Sequence, residues 1–178
     1  MIKIAHSPDA DDFFMFWALR EGLIDSKGHE FSFEAFDTQT LNSLAKEGQY
    51  DVIAISTANY PNIQDSYSIL EHGASIGVNY GPALVASKNY SLEELKSKKI
   101  GIPGKDTTAA KILSLAIADA ETIEISISPY EKVFQALENK EIDAAVLIHE
   151  GQITFESRGY QKILDLGVFW HQKTELPI

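Results

Sequence analysis

The sequence predicts an α/β protein built on mostly parallel sheets and divided into two lobes. Three observations carry this. Short apolar strand segments alternate with helical ones almost from the first residue, as in chains of βαβ units. Capping residues and glycines punctuate most of the joins. Strands in both halves end in polar, ligand-capable residues: 7–12 and 56–57 in the first, 104–108 and 149–150 in the second. In open α/β sheets, ligands sit beyond the carboxyl ends of the strands.

Each element has its own signal. "IKIAH" reads as a short strand, after which Asp11 or Asp12 is expected to cap a helix over "FFMFWALREG", closed by Gly22. "FSFEAF" alternates with period two. "DTQTLNSLAKEGQ" begins with capping residues, carries Leu41, Leu44 and Ala45 at helical spacing, and stops at Gly48. "DVIAIS" has the unbroken apolar character of a buried strand. A further strand is expected just before His72, and "GPALVASK" follows it. "SLEELKSK" is a short amphipathic helix, "KIGIPG" a strand, and "DTTAAKILSLAIADA" a helix with threonines at its entrance. "TIEISIS" alternates strictly, and "PYEKVFQALENKEI" is a helix with proline in its first turn. "DAAVLIHE" is a second buried-type strand. The segment from Gly159 to the end supplies another strand and a helix.

Composition narrows the function. With 178 residues, 44% of them hydrophobic, the chain can bury one large core or two small ones. It has no cysteine, which removes disulfides, thiolate nucleophiles and thiolate metal sites. A net charge of −11 argues against nucleic acid, whose phosphates need a basic face. It leaves room for a small anion, because backbone dipoles hold carboxylates inside acidic proteins. No apolar run approaches the roughly 20 residues of a membrane span. "MIKIAHSPDADD" lacks the features of a secretory signal, so a cytoplasmic protein without membrane or nucleic-acid partners is expected.

Four places have chemistry-bearing residues. "GIPGKDTTAAK" joins a strand to a helix whose free N–H groups and dipole attract an anion, with Thr107 and Thr108 as hydroxyl donors. Its threonines read equally as helix caps, and the lysine placement of a P-loop is missing. "HSPDADD" crowds three carboxylates into four residues. Capping and turn formation explain them more simply than a metal, and no metal or cofactor is expected. Ser56 ends a strand without the context of a nucleophile elbow, so it reads as a ligand donor or a turn residue. His149 is delivered by a buried strand to its polar end, where an imidazole can take a proton near neutral pH. A strand-end histidine bonded to backbone fits the same pattern. His6 ends the first strand and is a candidate to line a cleft; His29, His72 and His171 read as surface residues.

Taken together, "SPDADDFFMFWAL", "TLNSLAKEGQYDVIAIS", "GPALVAS", "GIPGKDTTAA", "AAVLIHEG" and "LDLGVFWHQKTELPI" resemble the 1,4-dihydroxy-6-naphthoate synthases of the futalosine route to menaquinone. The resemblance covers essentially the whole chain. Its most specific pieces are LIHE and the ending D-L-G-x-x-W-x-x-x-T-x-L-P. It implies a type II periplasmic-binding-protein-like fold, two α/β lobes with a central cleft. On that basis residues 1–88 are assigned to the first lobe, and 89–178 to the second lobe and the start of a return crossover.

The resemblance further implies a carbon–carbon lyase. It would cleave cyclic dehypoxanthine futalosine to 1,4-dihydroxy-6-naphthoate with loss of the sugar-derived fragment, using neither metal nor redox cofactor. The family's proposed base corresponds to His149, and its ligand-holding residues to Asn42, Ser56, Thr107 and Thr108. Where the family often has S-P-C-P-N-D, this chain has "SPDADD". Asp11 thus takes the place of an amide among the substrate-binding residues, and Asp9 is added. Extra negative charge beside a carboxylated substrate is unfavourable unless it points away or is protonated. Family members also continue past the L-P motif with a segment that returns to the first lobe, so that lobe is expected to be incomplete in this chain.

Two alternatives stand beside the lyase. One is the sister enzyme that dehydrates chorismate on the same fold. The other is a non-catalytic cytoplasmic solute-binding or sensor protein, since fold does not fix function.

Overall fold

The structure is a computed structural model describing residues 1–178. The chain divides into two compact units, residues 1–75 and 76–178. Strand Ala83–Ala86 hydrogen-bonds to strands of the second unit.

The first unit holds β1 (Ile2–His6), α1 (Ala10–Arg20), β2 (Phe31–Ala35), α2 (Thr38–Glu47) and β3 (Val52–Ile53). Its sheet has the order β2-β1-β3 with both pairs parallel. Parallel neighbours need crossovers, which α1 and α2 provide. Asp37 caps α2 by accepting from Gln39 and Thr40 N–H, and Gly48 ends it in the left-handed region at φ 66°.

Three expectations change here. The residue at the start of α1 is Asp9, whereas Asp11 and Asp12 lie in the first turn, where carboxylates favour the helix dipole. The run "DVIAIS" pairs as a strand over only two residues. Ala54 N–H still reaches the Ala5 carbonyl, but Ser56 N–H is taken by the Asn42 side chain. The chain then turns into the 3₁₀ helix Thr57–Asn62. The strand expected before His72 does not form: residues 64–75 contain no helix or strand, and Ile69 and Leu70 are exposed.

The second unit runs β4 (Ala83–Ala86), α3 (Leu92–Leu95), β5 (Lys99–Ile102), α4 (Thr108–Ala116) and β6 (Glu121–Glu124), then α5 (Glu131–Glu138), β7 (Ala144–Leu147), α6 (Gly151–Thr154), β8 (Gln161–Asp165) and α7 (Leu166–Thr174). Its sheet has the order β6-β5-β7-β4-β8. β5 is parallel to β6 and β7, while β4 is antiparallel to both β7 and β8, so this sheet is mixed.

β4 and β7 are buried along their whole length because both faces of the sheet are covered. One face packs Val85, Ala145 and Leu147 against Phe134 and Leu137 of α5; the other packs Leu84 and Val146 against Ile112 and Leu113 of α4. Successive residues of each strand point to opposite faces, which is why the sequence shows unbroken apolar runs.

The ending D-L-G-x-x-W-x-x-x-T-x-L-P has a structural account. Asp165 caps α7 through Gly167 and Val168 N–H, both at 3.1 Å. A Cβ at Gly167 would lie 2.1 Å from the Tyr80 carbonyl oxygen, so only glycine lets the two backbones cross. Trp170 donates its indole N–H to the Pro177 carbonyl at 3.1 Å, and Thr174 accepts from Leu176 N–H at 3.2 Å, folding the tail back on the helix. No helix is long and apolar enough to cross a membrane.

Candidate functional site

In the second unit, β5 and β7 are parallel neighbours, so their carboxyl ends leave the same edge of the sheet. The turn at 103–107 follows β5, and His149 follows β7. Gly104 adopts φ 154°, a conformation closed to residues with a side chain. Its carbonyl accepts from Thr107 Oγ1 at 2.7 Å, and Thr107 Oγ1 in turn accepts from Ala110 N–H at 3.2 Å. Thr107 is thus a buried N-cap whose hydroxyl proton is engaged within the turn. Thr108 opens α4 and is half-buried. An anion at this helix start would meet backbone N–H groups and the positive end of the dipole.

His149 lies two residues beyond β7, half-buried, with φ 48°. The turn is closed by Gly151 N–H donating to the Ile148 carbonyl at 3.2 Å and Gln152 N–H to the His149 carbonyl at 3.1 Å. The Tyr130 hydroxyl also donates to the Ile148 carbonyl, at 2.7 Å. Tyr130 was invisible to the sequence reading, since nothing local links a helix start to a turn 18 residues on.

In the first unit, Asn42 and Ser56 come together: Asn42 Nδ2 donates to Ser56 Oγ at 3.1 Å, and Ser56 N–H donates to Asn42 Oδ1 at 2.9 Å. Asn59, also missed in the sequence, donates to the Asn42 carbonyl at 2.9 Å. Asn42 has 0% exposure, so here it orients Ser56 and presents no surface of its own to a ligand.

The acidic turn is mostly satisfied internally. Ser75 Oγ donates to Asp11 Oδ2 at 2.5 Å, and Ser7 N–H donates to Asp12 Oδ2 at 2.7 Å. Burial pushes the Asp12 carboxyl above the usual carboxylate range, against the lowering effect of the Ser7 bond, and neighbouring Asp11 adds to the rise. No three His, Asp or Glu side chains are grouped to hold a metal ion.

His6, a candidate cleft residue, is a core histidine at 1% exposure. Arg20 can only donate, so its 2.9 Å contact makes His6 Nε2 the acceptor; Nδ1 then carries the proton given to the Ser7 carbonyl at 2.6 Å. The ring also packs on Phe16, with centroids 5.1 Å apart. His72 and His29 are exposed and His171 half-buried.

The topology is that of the type II periplasmic-binding-protein class. An alkanesulfonate-binding protein from Xanthomonas axonopodis pv. citri, solved bound to MOPS, superposes with a TM-score of 0.69 at 14% identity, over 92% of this chain and 60% of its own. A crystal structure of an Archaeoglobus fulgidus protein matches with a TM-score of 0.91 at 41% identity, over 99% of this chain and 64% of that one. Residues 2–178 match the menaquinone biosynthesis family, and the chain belongs to that family. A 1,4-dihydroxy-6-naphthoate synthase of Thermus thermophilus is 32% identical over 99% of this chain, which spans 63% of that relative's length.

Proposed function

We propose that the protein is a 1,4-dihydroxy-6-naphthoate synthase, cleaving cyclic dehypoxanthine futalosine in the cytoplasm, with His149 as general base. The observation that supports this most is the match to the Thermus synthase along nearly the whole chain. It is joined by a histidine held out of the β7 strand on a left-handed turn. On this reading the start of α4 takes the substrate carboxylate through backbone N–H groups and Thr108, while Thr107 shapes that turn from within. Ser56, oriented by Asn42, and Asp11 are the further substrate-binding groups of the first unit.

The imidazole removes the proton that starts carbon–carbon cleavage. The electrons of the broken bond pass into the ring system, whose aromatisation supplies the driving force. No redox change is required, and the reading calls for neither metal nor cofactor.

The test is to supply the intact protein with cyclic dehypoxanthine futalosine and, separately, chorismate, and to follow the products by mass. Dihydroxynaphthoate from the first substrate is the expected result. Conversion of chorismate alone would move the protein to the sister dehydratase. Inertness towards both, together with thermal protection by a small carboxylate, would make it a receptor.

A further inference from the structure

We infer that Tyr130 is a positioning residue for His149, aiming the imidazole through the peptide that precedes it. The inference rests on the reading of His149 as the base. β7 ends at Leu147, so the Ile148 carbonyl has left the strand ladder. Its partners are the Tyr130 hydroxyl at 2.7 Å and the Gly151 N–H that closes the turn. His149 sits inside that turn at φ 48°, where a Cβ crowds the backbone, so surrounding structure must hold the conformation.

Tyr130 is built to supply that hold. It stands at the start of α5, which is anchored by buried Val133, Phe134, Ala136 and Leu137, and its ring and Ile148 pack on the same core. A Cβ at Gly151 would come within 3.0 Å of the Tyr130 ring and 3.6 Å of Leu147 Cβ. Glycine at 151 is therefore what lets the phenol reach beneath the turn. Any rotation of the 148–149 peptide swings the Cα–Cβ bond of His149. Misplacing a reacting group by about 1 Å can cost on the order of 100-fold in rate.

Tyr130→Phe keeps the ring and removes the bond. It is expected to lower kcat about 10- to 100-fold with KM changed less than about twofold. Gly151→Ala, which keeps the hydroxyl but displaces the ring, should give the same split. In a His149→Ala background Tyr130→Phe should cost nothing further, because there is no imidazole left to aim. A second readout is independent of turnover: the His149 ring resonances in NMR should shift or broaden in Tyr130→Phe while Tm moves by only a few degrees. Unchanged ring resonances, or an equal rate loss without His149, would overturn the positioning role. Wild-type protein that turns over nothing would instead sink the reading of the base, and the resonances would still decide Tyr130.

Discussion

Asn42 and Ser56 hold each other by two hydrogen bonds, side chain to side chain at 3.1 Å and backbone to side chain at 2.9 Å, across 14 positions of sequence. The pair fastens α2 to the point where the chain leaves β3. Asn42 is fully buried and Ser56 half-buried, so removing the amide leaves the Ser56 N–H and hydroxyl without their partner. Asn42→Ala is expected to destabilise the first unit by about 2 kcal/mol, within the 1–3 kcal/mol range for an orphaned buried group. Urea unfolding followed by tryptophan fluorescence checks this, Trp17 reporting on the same unit. A loss under about 0.5 kcal/mol would show that water replaces the amide.

The cap of α4 gives a graded test. Thr107→Ala should cost about 1 kcal/mol, and Thr107→Ser, which keeps the oxygen, only a few tenths. Equal losses in the two variants, measured by denaturant midpoint, would mean that the methyl group and not the hydroxyl matters.

Gly167 allows no side chain, because the Tyr80 carbonyl oxygen lies 2.1 Å from where a Cβ would sit. Gly167→Ala should force the two backbones apart, at a cost of about 3 kcal/mol or more. Thermal unfolding measures it. A variant as stable as the wild type would contradict the close crossing of the Gly167 and Tyr80 backbones.

Asp12 makes stability depend on pH in a particular direction. Burial raises its carboxyl above the ordinary value of 3.8, so the folded state holds this proton more tightly than the unfolded chain. The group therefore disfavours folding progressively as pH rises from that value through its raised folded one. Asp12→Asn can still accept from Ser7 N–H without a charge. It should be more stable than wild type at neutral pH, and the gain should disappear below about pH 3.8, where both forms are neutral. A gain that grew on acidification would reverse the assignment.

Much of the fold could be read directly because its signals are local. Asp37, Ser91 and Thr107 cap helices where their sequence positions indicate, and Gly48 ends one. Strand direction could not be read: β4 is buried on both faces and looks the same whichever way it runs, so its antiparallel pairing emerged only with the sheet. The shortening of β3 depends on Asn42, a residue of another element, and the pattern "DVIAIS" carries no trace of it. At the candidate site His149 was legible because an ionisable residue ending a buried strand is unusual. Tyr130 was not, since its role is a single long-range bond to a carbonyl.

The proposed role of His149 as the proton acceptor of a lyase is tested by pairing turnover with binding. Wild-type protein and His149→Ala would be given cyclic dehypoxanthine futalosine, with product followed by mass and affinity by calorimetry. The substitution should lower turnover by about 10²- to 10⁴-fold, the usual weight of a general base, and leave affinity within a few-fold. Turnover in His149→Ala at the wild-type rate would contradict it.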